Sequence, residues 1–307
     1  DQALTCEHPL QPFSAAYFDG SRDGCFTYAA EWKPLHLPDS AVTPAAGPLP
    51  PLLLDEPLAP GSLLRFVRRP VQQFFAQRFK VYLQASVEQQ EDDEPFALDA
   101  LASHGIKSHL LEAGARGGAE FSLAAETARM QRSGALPLLG FGEQLLAELV
   151  APLQVQLGHY LERRQGLMPD ERQWLLDVPA TAEGVPGLRA WLAASGLDAD
   201  GAQPVLLQRV TGPLKKDKRW RWSRLLAPVF SHVLLHAAGA RVLTEVYGED
   251  GVASLQPMEP ESARHQVAVW LRAWAQGMCE PLPVAFETAL AWLQADADGK
   301  DDDVCRQ

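Results

Sequence analysis

Residues 173–210 read QWLLDVPATAEGVPGLRAWLAASGLDADGAQPVLLQRV, and this stretch sets the fold class. It holds three short runs, 173–178 (QWLLDV), 187–193 (GLRAWLA) and 205–210 (VLLQRV), each bounded by Pro, Gly or polar turn residues. Such runs suit strands better than helices, and their spacing predicts a small strand meander. Downstream, 222–239 has helical periodicity, and 241–247 with 252–255, joined by GEDG, predict a second strand pair. Helices at 262–278 and 284–294 follow. Upstream, Ser62 is the expected N-cap of LLRFVRR, and Pro70 suits the first turn of VQQFFAQRFKVYL. There Phe74, Phe75, Phe79 and Tyr82 form an aromatic face expected to meet the core. Further helices are expected at 98–113, 119–133 and 141–164, with Pro152 kinking the last. Long helices, then a compact sheet, then helices laid on it predict one α/β domain, a small mixed sheet with a large helical portion before it.

The whole chain has 307 residues and is 47% hydrophobic, enough for a substantial core. No apolar run approaches the ~20 residues of a membrane-spanning helix, and no basic segment followed by an apolar one opens the chain, so neither a membrane span nor a secretory leader is expected. Cys6, Cys25, Cys279 and Cys305 lie far apart and read as reduced thiols of a cytoplasmic protein. Residues 46–60 are rich in proline and read as an extended linker. The first 45 residues hold too few apolar side chains to fold alone and read as a docking segment, and 296–307 as an acidic tail or truncation point. The domain proper is expected over 61–295.

Lysine and arginine total 27 against 39 acidic residues, a net charge of −12. A surface of that sign repels phosphate, so any nucleic-acid contact must come from a local patch. One exists in KKDKRWRWSR, where Lys215, Lys216, Lys218, Arg219, Arg221 and Arg224 stand against Asp217 alone, interleaved with Trp220 and Trp222. Cations beside flat aromatics suit phosphate contact with base stacking; the bland alternative is a solvated basic helix start whose tryptophans fall into the core. The opposite run, Glu88 to Glu94, reads as a solubilising loop. No Walker A loop and no G-x-S-x-G occur. HVLLH puts His232 and His236 one helical turn apart, but Val233 stands where a zinc protease has its general base, so no metal site and no cofactor are expected.

Read in order, HPLQPFSAAYF, FTYAAEW, LLRFVRRPVQQFFAQRFKV, EDDEPFALDAL, ALPLLGFGEQLL and QGMCEPLPV resemble the carboxy-terminal part of the gamma subunit family (RecC) of exodeoxyribonuclease V, the RecBCD helicase-nuclease. The resemblance runs patchily over nearly the whole chain, with EPFALD and HPLQPFS its most specific segments. It implies a helicase-like part preceding this region, from which the first 45 residues would come, and a restriction-endonuclease-like PD-(D/E)xK core that does not cut. Active relatives of that core carry a helix with G-x-x-x-H, a strand ending G-x-I-D and a next strand with D-x-K, which hold Mg²⁺ and position the attacking water. Set on that pattern, Leu146 stands for the His, Ala193 for the first Asp, Gln208 for the second and Val210 for the Lys. The implied role is non-catalytic: engaging double-stranded DNA ends and unwound single strands, and organising the beta and delta subunits. Two other readings remain, a protein-only docking module and an Mg²⁺-dependent nuclease rebuilt on Asp177, Asp198 or Asp200.

Overall fold

The larger unit is built around β4 (Pro204–Arg209). It lies antiparallel to β3 (Gly196–Leu197) and parallel to β7 (Leu243–Gly248), and β8 (Gly251–Leu255) pairs antiparallel with β7 to complete a mixed four-stranded sheet. A strand covered on both faces is apolar at successive positions, and Val205, Leu206 and Leu207 are all buried. Val205 and Leu207 pack with Leu157 and Tyr160 of α5 (Leu139–Gln165), while Leu206 packs with Leu235 of α6 (Trp222–Ala237). Alternate side chains thus meet a helix on each face, and α6 supplies the crossover that the parallel step from β4 to β7 needs.

The computed structural model describes residues 7–22, 24–36, 47–82, 98–133, 139–217 and 219–297. The acidic run at 88–94, the tail from 298 and Lys218 lie outside them. Two compact units divide the chain, Asp1–Leu49 and Pro50–Gln307. In the smaller, 3-10 turns at Ala15–Tyr17 and Ala30–His36 carry small aromatic contacts such as Phe18 on His36, and Cys25 is the one buried residue among those described.

The predicted strands form, but not as one meander. β1 (Gln173–Val178) and β2 (Leu188–Ala193) make a separate antiparallel hairpin, from Gln173↔Ala193 to Val178↔Leu188. The ladder does not pass from β2 to β4, because Leu207 N donates to the Ser195 side-chain Oγ where a strand neighbour would offer a carbonyl. The hairpin is joined to the sheet through Trp174, Leu192 and Ala194, which pack on Leu206, Leu235 and Val242. Residues 47–59 form no helix and bend at 55–56, and their end is tied down: Leu58 N donates to Gly187 O at 2.7 Å and Arg189 N to Leu58 O at 3.3 Å. GEDG makes the expected tight turn, with Gly248 paired to Gly251 and Gly251 at φ 135°.

Several helix ends differ from expectation by a few residues, and at two of them the local chemistry shows why. α1 (Pro60–Arg68) starts at Pro60 with Ala59 as N-cap, because proline's fixed φ serves the first helical position. Ser62 instead accepts from Arg65 at 3.0 Å. α2 (Pro70–Phe79) stops where Lys80 turns left-handed at φ 56°, which leaves Tyr82 outside the helix. α7 (Pro260–Cys279) buries Ala263, Val267, Leu271, Trp274 and Met278, an i, i+4 and i, i+3 stripe. Gly277 is required there, since a Cβ would stand 2.5 Å from the Phe66 ring. α3 (Ala100–Gly117), capped by Asp99, packs with α4 (Leu123–Arg132) and α5 around Ile106, Leu110, Met130 and Leu153. Pro152 lies inside α5 without ending it. α8 is Phe286–Ala297. No described helix is long and apolar enough to cross a membrane.

Candidate functional site

At the carboxyl end of β4 lies a cavity of about 930 Å³. Gln208, Arg209, Val210 and Thr211 line it from the strand, and the first turns of α2, α6 and α8 line it from three helices. Helix N-termini carry partial positive charge, and the side chains add to it. Arg68 and Arg69, at the single-residue junction of α1 and α2, join Arg209 and Arg224, with His104 reaching in from α3 and Glu287 the one acid among the described residues of the lining. Arg209 is held by the Tyr160 hydroxyl at 2.9 Å and lies over that ring at 4.9 Å. Arg224 donates to Pro213 O, and burial pushes its guanidinium below its ordinary pKa. The Arg68 side chain is exposed and makes no hydrogen bond or ion pair with another described residue.

Leu146, Ala193, Gln208 and Val210, expected to converge on one groove, do not. Gln208 and Val210 share the cavity, whereas Leu146 is buried with Ile106, Leu110, Leu111 and Met130 in the α3, α4 and α5 cluster. The α5 residue that does reach the strand end is Gln156, whose Nε2 donates to Val210 O at 2.9 Å and to Tyr247 O at 2.8 Å. Leu146 precedes it by ten residues, about 15 Å along the helix axis, too far to share its surroundings. Ala193 ends the β1–β2 hairpin, exposed, and does not line the cavity. Gln156 is 2% exposed and its Oε1 has no partner among described residues. Its trace in the sequence was a polar side chain in phase with Leu153 and Tyr160 on the buried face of α5.

The basic run also differs from its reading as a helix start. β5 (Lys215–Lys216) and β6 (Arg219–Trp220) form a two-stranded hairpin turning at Asp217, φ 50°, and α6 begins after Arg221. Asp250, in the β7–β8 turn, accepts from Leu214 N and, at 2.9 Å, from Lys215 N, and Arg221 N donates to Leu214 O at 2.8 Å. Nearby, Lys107 pairs with Glu249 at 2.7 Å and Ser108 with Thr211 at 2.8 Å, linking α3 to the same region. Lys215 Nζ sits 4.2 Å from the Trp220 ring centroid, and Trp220 packs against the cluster of Leu214, Leu225 and Val246. Trp222 is the more exposed indole, at 41%, and Trp220 is half-buried. A second cavity, about 600 Å³, is lined by Lys216, Arg219, Trp220, Arg221 and Trp222 on one side and by α8 on the other. It shares Ser223, Arg224 and Glu287 with the first, so the two adjoin.

The remaining candidates do not join this site. Asp177 faces Arg189 across the β1–β2 hairpin at 3.6 Å, Asp198 accepts from the backbone of Ala202 and Gln203 in its turn, and Asp200 is exposed. His232 and His236 are core residues: His232 Nδ1 lies 2.8 Å from Thr244 Oγ1, and His236 Nε2 donates to Val242 O at 3.1 Å. Burial, with the neighbouring His236, pushes His232 down to about 4. Among the described residues no group of three or more His, Cys, Asp or Glu is placed to hold a metal ion. On the other face of the sheet, Arg163 holds Glu245 at 3.0 Å and Glu245 accepts from Tyr247 at 2.8 Å, a polar cluster that the sequence reading did not single out.

Comparison with known proteins returns two findings. A family model for the RecC C-terminal domain matches residues 55–297. RecBCD enzyme subunit RecC of Escherichia coli (strain K12) is 27% identical over 310 residues, which cover 97% of this chain and 25% of that protein. The chain therefore spans about a quarter of the length of the curated relative it matches.

Proposed function

The chain belongs to the RecC C-terminal domain family, and on that basis we propose that it is a non-catalytic, DNA-engaging and subunit-organising domain of a RecBCD-type helicase-nuclease. It acts in recombinational repair of double-strand breaks in the cytoplasm, helping to split the duplex and guide its strands, and its partners are the beta and delta subunits. Residues 61–295 act as the domain, the first 45 as its docking segment and 46–60 as the link between them. The α5 and β4–α6–β7 layering, with a helix on each face of a mixed sheet, supports reading its core as a nuclease-like PD-(D/E)xK fold.

The observation that carries this reading is the lining of the cavity at the end of β4. Active nucleases of the resembled group gather carboxylates on such a strand to hold Mg²⁺ against phosphate. Gln208 and Val210 stand in a cavity whose charged lining is four arginines against Glu287. Arginine binds phosphate through its planar fork and supplies no ligand for a hard cation, so the site is suited to hold a phosphodiester without cleaving it.

The test is binding of a forked DNA end by the chain with Lys215, Lys216, Arg219 and Arg221 reversed to Glu. Affinity should fall and the dependence of log K on log salt should flatten, by about 0.9 for each duplex phosphate that the protein no longer neutralises. Unchanged affinity and slope would remove the hairpin from the DNA surface. A protein-docking role is favoured by a separate observation, the exposed Leu10, Phe26, Tyr28 and Leu35 of the small unit. Pull-down of the beta and delta subunits without DNA, with Phe26 and Tyr28 changed to Ser, tests it.

A further inference from the structure

Resting on the subunit-organising half of that reading, we infer that a third cavity, between α3 and α5 beside Ser195, receives a single carboxylate, the side chain of an aspartate or glutamate on a partner protein. The cavity holds about 370 Å³ and is lined by Glu112 and Arg116 of α3, Tyr160 and Arg164 of α5, Ser195, and Arg209 of β4. It lies on the α5 face of the sheet and shares only Arg209 with the cavity at the end of β4.

Three observations carry it. The first is the balance of donors and acceptors. Leu207 N donates to Ser195 Oγ at 2.9 Å and Arg209 Nη1 to the Tyr160 hydroxyl at 2.9 Å, so both hydroxyl oxygens already accept. Neither donates to a described residue, so each has its O–H to give, and Tyr160 is 5% exposed, where a hydroxyl without an acceptor costs stability. Arg164 uses Nη1 on Ala115 O as Arg209 uses Nη1 on Tyr160, which leaves the Nε and Nη2 edge of both guanidiniums without a partner among the described residues. That edge is the fork that meets a carboxylate through two parallel hydrogen bonds. The second is preorganisation. Arg209 lies 4.9 Å from the Tyr160 ring centroid, and Tyr247 packs nearly perpendicular to the same ring with centroids 5.7 Å apart, so the cation is in place before a ligand arrives. The third is the fit to one charge. Arg116 pairs with Glu112 at 3.0 Å, which leaves Arg164 and Arg209 as the lining's cations without an ion pair to a described residue. Glu112 repels a run of phosphates, and the Tyr160 ring, between Arg209 and Tyr247, has no face for a base, so the site suits a lone carboxylate better than a nucleic-acid strand.

The experiment follows the arginine Nε–H signals of the full 307-residue chain by NMR while acetyl-Gly-Glu-Gly-amide, its Gln counterpart or inorganic phosphate is added. The Arg164 and Arg209 signals should shift saturably with the Glu peptide and stay in place with the Gln peptide. Affinity of the same chain for the purified beta and delta subunits is measured alongside. Arg164→Gln, on an exposed side chain, should weaken the Glu peptide and at least one subunit about tenfold, the loss expected for a hydrogen-bonded charge. Arg164→Lys, which keeps the charge without the fork, should recover only part of that loss. An equal response to the two peptides overturns the inference, and phosphate acting at lower concentration than the Glu peptide overturns it in favour of a phosphate site. If the subunits bind the parent and Arg164→Gln equally, this inference falls and the subunit-organising reading stands. If neither subunit binds the parent, both fall.

Discussion

Trp220 and Trp222 are two positions apart and do different work. Strand pairing packs Trp220 against Leu214 and Val246, half-buried, whereas Trp222, at the start of α6, is the more exposed of the two, and both line the second cavity. Spacing alone could not tell them apart, because the hairpin that separates their roles depends on Asp250, 33 residues after Asp217. The histidine pair shows the same dependence. HVLLH looks like a ligand pair, but its rings face Thr244 and Val242 inside the core. With His232 at about 4 in the folded protein and about 6.5 unfolded, the unfolded chain binds more protons between those values. Stability from this group is therefore full above pH 6.5 and is lost as pH falls toward 4. At pH 5 the loss is about 2 kcal/mol. Urea midpoints at pH 7.5 and pH 5 should show it, and His232→Gln should shrink the difference; an equal difference in the variant would assign the acid sensitivity elsewhere.

At the level of helices and strands, segments with a single strong period were legible. β1 forms over Gln173–Val178 as predicted, and α6 and α7 fall within a few residues of their expected ends. The misreadings sit at ends and partners. α2 ends at Phe79 because Lys80 turns left-handed, although the aromatic spacing continues to Tyr82. The basic run folds as a hairpin because the β7–β8 turn supplies Asp250 to its backbone. Asp250→Ala should therefore loosen that hairpin and lower stability by about 2 kcal/mol, the range for hydrogen bonds to a charged acceptor. Faster amide exchange at Leu214 and Lys215 would report it; unchanged protection would mean that the Arg221 N to Leu214 O bond is sufficient.

Across the whole larger unit, α6 is the shared wall. Leu235 packs with Leu206 of the sheet and, through the same cluster, with Trp174 and Leu192 of the β1–β2 hairpin. Leu235→Ala should cost about 2–5 kcal/mol, and hydrogen exchange in the hairpin and in β4 should accelerate together. Acceleration in one alone would show that they unfold separately. Periodicity, turn chemistry and the local surplus of positive charge are properties of neighbouring residues, so the α/β class, most elements, the family resemblance and the basic run could be read along the chain. Which strand pairs with which, which tryptophan stays the more exposed, and the cavity itself arise from packing between distant segments. That cavity draws on residues 68–72, 104 and 208–211, on 223, 224, 227 and 228 of α6, and on 284–287, segments brought together only when α2, α3, α6 and α8 close around the end of β4. Its charge is therefore invisible in any window of the chain, and in the total of −12 it is hidden altogether.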